Sequence, residues 1–349
     1  MKIFEKWVRP GIAELKPYRS ARDEFGGSAA VLLDANENSL GDGLGRGLNR
    51  YPDPRQRELK KALAKIKGIP PEQIFLGNGS DEAIDLLLRI FAEPGKERVI
   101  LTPPTYGMYE VCAAVNGLEC LKIQLDSRFQ PRVKEILAAA DQRTKLLFLC
   151  SPNNPTGNCM ERERVRDLLN GFNGIVVLDE AYIDFSPEKS WLPELGRHPN
   201  LVILQTLSKA WGLAGLRVGM AFAAPEIIFF LNKIKFPYNL NSISQKLALQ
   251  ALRKNTAEKA VKQLILNRQT LIEKLRGLKL VEEVFPSDAN FLLVRFRNVT
   301  AVFAHLLKRG IIVRDRSGQP GCAGCLRVTV GSAPENELLI QVLKEMEEK

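Results

Sequence analysis

This sequence predicts an α/β fold, with a large domain built on a mostly parallel sheet between helices and a smaller α/β domain after it. Three observations carry that reading. Short apolar runs recur between about residues 70 and 235: QIFLG, RVILT, KLLFLC, GIVVLDE and LVILQT. Each run is continuously apolar rather than alternating, which marks strands buried on both faces, and helical patterns between them favour parallel pairing. At 349 residues the chain is long enough for a large core and two domains.

The elements follow in order. Residues 1–28 read as an arm, charged and proline-bearing, with PYRSAR at 17–22. VLLDANEN (31–38) is expected to be a short strand running into a polar turn. SLGDGLGRGLNRYPDP (39–54) is a glycine-rich loop, but the GxGxxG spacing is absent and no helix is expected to open there. It is therefore not a dinucleotide fingerprint. A helix is expected from about Pro54 to Lys67, stopped by Gly68 and Pro70. Past the alternating region, a long helical stretch runs from about Ser242 to Leu278 with a break. Strands FLLVRF and LRVTV follow, with a helix over Val302–Arg309 between them and another at the C-terminus. The expected division is an arm (1–28) associated with the small domain, a large domain (29–237) and a small one (238–349).

Composition narrows the function. The formal net charge is +10 and the pI about 9.3. Basic residues are interspersed with acids, and the densest group, Arg55 to Lys67, fits the solvated face of a helix. No nucleic-acid module is visible, so the charge points to small anionic substrates. The start MKIFEKWVRP lacks an apolar signal core and no stretch could span a bilayer, so a cytoplasmic protein without membrane partners is expected. Six cysteines in a chain this long do not make a disulfide framework. Cys322 and Cys325 form a CxxC, yet zinc needs further ligands, and His198 and His305 are the only histidines. A structural role is expected for that pair, and no metal site.

The chemistry gathers around LVILQTLSKAWGLAGLRVG (201–219). Lys209 follows a buried strand. A partly dry pocket strips its ammonium of water, lowers its pKa and frees the amine to attack a carbonyl. Thr206 and Ser208 before it and Arg217 after it would suit a dianionic phosphate. Together they describe an aldehyde cofactor with a phosphate handle, although a plain surface lysine beyond a strand is the bland alternative. The other strand ends converge on the same chemistry. GNGSDE (77–82) precedes a helix, where small residues let backbone N–H groups approach a phosphate; Ser80 or Asp81 could equally be a simple cap. PPTYGMY (103–109) could hold Tyr106 against a flat ring. SPNNPTG (151–157) carries Asn154, a donor suited to a phenolate oxygen. IVVLDEAY (175–182) places Asp179 at the end of an apolar strand, where a buried carboxylate needs a cationic partner such as a pyridinium nitrogen. Tyr182 could share the phenolate.

In this order, PYRSAR, RYPDP, PPTYGMY, SPNNPTG, DEAY, TLSKAWGLAGLRVG, ANFLLVRF and CLRVTVG resemble the pyridoxal-phosphate-dependent aminotransferases of fold type I, and within them the histidinol-phosphate group. The resemblance spans nearly the whole chain. It implies pyridoxal 5'-phosphate held covalently by Lys209, with Asp179 at the ring nitrogen, Asn154 and Tyr182 at the phenolate oxygen and Tyr106 stacked on the ring. It implies that the phosphate is bound by the backbone around Ser80 and Asp81, by Thr206, Ser208 and Arg217, and by Tyr51 of a second copy in a homodimer with shared sites. It assigns Tyr18, Arg314 and Arg327 to the anionic end of the substrate and Asn290 to the substrate side of the pocket. The implied reaction exchanges an amino group between histidinol phosphate and 2-oxoglutarate. Lys209 and Asp179 alone do not separate this from an aromatic aminotransferase or a phosphothreonine decarboxylase of the same fold. A non-catalytic cofactor-binding regulator would need an appended helix-turn-helix, for which the arm has no room.

Overall fold

All five apolar runs become strands of one sheet. A computed structural model of the chain describes residues 7–18, 31–45 and 47–347. The sheet contains β1 (Ile74–Asn78), β2 (Arg98–Leu101), β3 (Glu119–Lys122), β4 (Thr144–Cys150), β5 (Ile175–Asp179), β6 (Leu201–Thr206) and β7 (Val218–Phe222), in the order β1-β7-β6-β5-β4-β2-β3. The strands from β3 to β6 run parallel. β7 alone is reversed, antiparallel to both β6 and β1.

Because successive side chains point to opposite faces, each apolar strand feeds two cores at once. Leu147, Leu149, Val176 and Leu178 face one core, and Leu146, Phe148, Ile175 and Val177 face the other. Before the sheet lies α1 (Pro10–Glu14), and α2 (Arg57–Lys67) leads into it. Along the sheet come α3 (Ser80–Phe91), α4 (Met108–Val115), α5 (Val133–Ala139), α6 (Arg162–Gly171) and α7 (Pro225–Ile234). Leu59 and Leu63 of α2, Ile136 of α5 and Val165 of α6 fill the first core. Leu87 of α3, Ala113 of α4 and Ile227 of α7 fill the second. The sheet is thus covered on both faces, as continuous apolarity requires.

The expected long helical region is α8 (Ser242–Lys254) and α9 (Ala257–Arg276), broken at Asn255, whose φ of 47° is left-handed. Ala248 and Leu252 of α8 join the core of the large sheet. A second sheet, antiparallel, has β8 (Val281–Val284), β9 (Phe291–Phe296), β10 (Arg314–Asp315) and β11 (Cys325–Thr329) in the order β10-β11-β9-β8. With α9, α10 (Val299–Lys308) and α11 (Ala333–Lys344) it encloses a separate apolar core around Leu292, Val294 and Leu326.

Three local expectations need correction. VLLDANEN forms no strand: Val31 and Leu33 are exposed, and the segment is held by side chains, with Arg50 donating to the Leu32 carbonyl and to Glu37. The helix expected from Pro54 starts at Arg57, because Gln56 is left-handed (φ 46°) and the Asp53 carboxylate accepts the N–H groups of Arg55 and Arg57. Within the basic group, Lys60 is not on the solvated face but only 9 % exposed. The glycine-rich loop opens no helix; Gly41, Gly43, Gly45 and Gly47 all take positive φ and the loop wraps Asp42, which accepts from Leu44 and Leu48. Of the arm, residues 1–6 and 19–28 lie outside the described residues; the described part packs on the large domain rather than the small one, with Val8 in its second core and Arg9 paired to Glu93.

Candidate active site

The carboxyl ends of parallel strands collect functional groups because loops leave the sheet there. In this chain β4, β5 and β6 end at Cys150, Asp179 and Thr206, and the turns that follow line one cavity. Ser80, Asp81, Tyr106, Asn154, Asp179, Tyr182, Thr206, Ser208, Lys209 and Arg217 all border it. Ten of the residues singled out in the sequence are thereby brought together.

At the floor, Asp179 is 3 % exposed. Burial pushes its carboxyl above the usual range, and two donors oppose that: the Tyr109 hydroxyl to Oδ2 at 2.6 Å and the Ala181 N–H to Oδ1 at 2.9 Å. Tyr109 is wholly buried and stacked on Phe148, with centroids 5.0 Å apart, so its hydroxyl is fixed. The adjacent acid, Glu180, points away and is held by Trp191 N–H at 2.7 Å and by Gln205 at 2.9 Å. Of the two acids in DEAY, only Asp179 faces the cavity.

Opposite lies Lys209. The residue is open to the cavity mouth, while its amine sits 5.6 Å from the Tyr182 ring centroid. Lost hydration pulls its pKa down, Arg327 adds to this, and Asp179 works against it. On the side wall, Asn154 Nδ2 donates to the Tyr182 hydroxyl at 3.3 Å, and Arg327 Nη1 donates to Asn154 Oδ1 at 2.6 Å. Phe291 packs edge-on to Tyr182 at 5.0 Å and lies 5.4 Å from the Arg327 guanidinium. These contacts seat β11, which bears Arg327, against the cavity. Tyr106 donates to Asp81 at 3.2 Å.

The fourth wall is built for a close-approaching anion. The residue that caps α3 is Gly79, not Ser80 or Asp81, at φ 75°, with no side chain receiving the first N–H groups. A Cβ on Gly79 would lie 2.5 Å from Arg217 Nη2, and one on Gly219 would lie 2.1 Å from the Ser80 nitrogen. Gly219 is required because a Cβ there would meet backbone, and Gly79 because its φ of 75° disfavours any side chain. Thr206 and Ser208 hydroxyls are 2.9 Å apart beside them, and Arg217 reaches Asp81 at 3.5 Å. Backbone donors at a helix N-terminus, two hydroxyls and a guanidinium make a receptor for a phosphate. A buried carboxylate, an amine whose pKa is lowered, a tyrosine–asparagine pair and this receptor together fit pyridoxal phosphate.

Other expected residues lie further out. Arg314 of β10 is directly opposite Arg327 in the strand register. Asn290 sits just before β9, its carbonyl accepting from Val330 at 2.9 Å. Tyr51 is half-exposed and stacked on Tyr238, centroids 4.4 Å apart. Tyr18, 74 % exposed, borders a different cavity with Lys60, Phe229 and Lys235. Within one chain, neither tyrosine borders the Lys209 cavity. Cys322 and Cys325 are buried beside Leu293, with burial raising the Cys322 thiol to about 12.

Sequence reasoning missed Tyr109 and Gly219. Tyr109 falls within the quoted PPTYGMY, three residues after Tyr106, a spacing that brings two aromatics together at a helix start; the rings meet edge-on at 5.4 Å. Gly219 showed no signal beyond its place after Arg217.

Comparison with known proteins gives the same direction. Residues 25–343 match the family described as aminotransferase class I and II. A histidinol-phosphate aminotransferase from Parabacteroides distasonis is 51 % identical, over 99 % of this chain and 99 % of the relative. One from Bacteroides fragilis is 53 % identical with the same coverage of both. Among solved structures, histidinol-phosphate aminotransferase from Sinorhizobium meliloti in complex with pyridoxal-5'-phosphate is 25 % identical and superposes with a TM-score of 0.78, covering 97 % of each chain.

Proposed function

Because this chain belongs to the class I and II aminotransferases, which use pyridoxal phosphate, we propose that it exchanges an amino group between L-histidinol phosphate and 2-oxoglutarate. The products are imidazole acetol phosphate and L-glutamate, and the setting is histidine biosynthesis in the cytoplasm. One observation carries the reading beyond the fold. The Arg327 guanidinium, on the small sheet, bonds to Asn154 of the cofactor cavity, setting an anion receptor beside the reacting amine.

Each residue then has work to do. The chemistry supplied by the bound cofactor is an electron sink for the carbanion left when the substrate loses its α-proton. Asp179 would face the ring nitrogen and favour its protonated form; Tyr109 holds that carboxylate in place. Asn154 and Tyr182 would donate to the phenolate oxygen, and Tyr106 would cover the ring. The backbone N–H groups around Ser80 and Asp81, with Thr206, Ser208 and Arg217, would hold the phosphate. Lys209 is the amine that would hold the cofactor aldehyde, and its lowered pKa suits that amine, once free, to take the α-proton and return it. Arg327 and Arg314 bind whichever anion arrives, the phosphate of one substrate or the carboxylate of the other, since a guanidinium fork accepts either. Asn290 supports the substrate side. Tyr51, which does not border its own chain's cavity, serves the cofactor phosphate of a second copy in a homodimer, and Tyr18 serves the anionic end of the substrate. The large sheet, with α8 packed on it, and the small sheet act as two domains that flank the substrate.

The test is a substrate panel: histidinol phosphate, phenylalanine and tyrosine, each with 2-oxoglutarate and purified protein. The proposal expects the highest kcat/KM for histidinol phosphate. A higher value for either aromatic amino acid would overturn it.

A further inference from the structure

β10 and β11 place like charges together in a way that folding alone does not favour. Arg314 is paired directly with Arg327, and Arg316, whose N–H donates to the Cys325 carbonyl at 3.0 Å, continues the same ladder. Residues two apart on a strand share a face, and residues opposite in register share it too. Three guanidinium groups therefore crowd one face, where like charges repel. Burial and the neighbouring Arg327 and Arg314 all pull the Arg316 pKa down. Among the described residues, no carboxylate is paired with them. Asp315 alternates to the other face, where its Oδ1 accepts from Ser317 at 2.8 Å. Among the described residues, the Arg316 Nε is buried with no hydrogen-bond partner, as are the hydroxyls of Ser317 and Thr105. Thr105 precedes Tyr106, and both border one cavity with Gln319. A buried donor left unpaired is costly, so the cluster is built to be completed by an anion.

We propose that Arg316 is a specificity residue of the substrate site, a third guanidinium that engages a phosphate monoester and that a carboxylate does not use. A carboxylate offers two oxygens, which the forks of Arg327 and Arg314 can satisfy. A phosphate monoester carries close to two negative charges and three acceptor oxygens, enough for a third donor. The inference deepens the function proposed above and rests on it.

The test compares Arg316→Gln and Arg316→Lys with wild type in the two half-reactions separately, histidinol phosphate in one and glutamate in the other. Inorganic phosphate is added to each as a competitor of the glutamate half-reaction. Arg316→Gln should lose roughly ten- to a hundredfold in kcat/KM for histidinol phosphate, the worth of one hydrogen bond to a charged group, and no more than about threefold for glutamate. Inhibition by phosphate should weaken in parallel. Arg316→Lys, which keeps the charge without the fork, should show the same selectivity at smaller size; it carries the comparison if the glutamine variant does not fold. Equal losses on both substrates, or none, would overturn the assignment. If wild type does not turn over histidinol phosphate, the proposed function fails by itself. Arg316 is then judged on phosphate inhibition: weakening in the variants upholds it as the phosphate donor, and unchanged inhibition overturns it.

Discussion

Replacing Asp179 with asparagine removes one charge and almost nothing else. The side chain is 3 % exposed, so no water replaces the lost interaction. Asparagine fills the same volume, and its carbonyl oxygen can keep the 2.9 Å bond from the Ala181 N–H. The contact with the Tyr109 hydroxyl at 2.6 Å changes character but not position. What disappears is the attraction between a carboxylate and a protonated ring nitrogen. At roughly 4 Å and an effective dielectric near 20 that is worth about 4 kcal/mol. At about 1.4 kcal/mol per factor of ten, turnover should fall roughly a thousandfold. The assay follows the glutamate half-reaction in single turnover by the visible absorbance of the cofactor, with cofactor content and thermal midpoint measured beside it. Tyr109→Phe, which leaves the charge and removes one donor to it, should cost only about tenfold. A fully loaded Asp179→Asn protein within about tenfold of wild type would refute the reasoning and leave the aspartate a structural role.

Two further expectations concern stability and assembly. Lys60 is only 9 % exposed, and burial, then Lys235, lowers its pKa from 10.5 to about 8. The unfolded chain holds this proton between those two values and the folded chain does not, so stability from this group rises with pH across that window and is lowest below it. Lys60→Met should therefore stabilise the protein at pH 7 by up to about 3 kcal/mol in urea unfolding and flatten the rise above pH 8; an unchanged profile would contradict the burial argument. For Tyr51, subunits carrying Tyr51→Phe are mixed with subunits carrying Lys209→Ala. Action across the interface pairs both lesions in one site and leaves the other intact, so mixed dimers should regain wild-type cofactor affinity in one site. Mixed dimers with no wild-type site would show that Tyr51 serves its own chain, and wild-type cofactor affinity in the Tyr51→Phe homodimer would show that it serves none.

The parts of the site that the sequence announced share a physical cause. β2, β4, β5 and β6 are buried on both faces and largely apolar, so the polar residues at or just past their carboxyl ends stand out, as Asp179, Thr206 and Lys209 do. What stayed hidden lacked that contrast. β3 is a four-residue edge strand with charged ends, and β7 opens on Val218 and Gly219 straight after a left-handed Arg217, so neither reads as an apolar run. The choice of Asp179 over Glu180 was legible only through strand alternation. The Tyr109 contact to Asp179 spans 70 residues and no local pattern foretells it. VLLDANEN has strand-like composition but no partner strand among the described residues, and propensity without pairing does not make a strand. Tyr18 and Tyr51 could be placed in a site only by resemblance, since one chain keeps both away from its own cavity.

The central claim is that Lys209 is the amine that carries the cofactor. Reducing the loaded protein with borohydride, digesting it and mapping the retained cofactor mass tests this directly. The account predicts label on the peptide containing Lys209 and its loss in Lys209→Ala. Label on another lysine, with Lys60 the natural suspect because its pKa is also lowered, to about 8, or label surviving in Lys209→Ala, would contradict it.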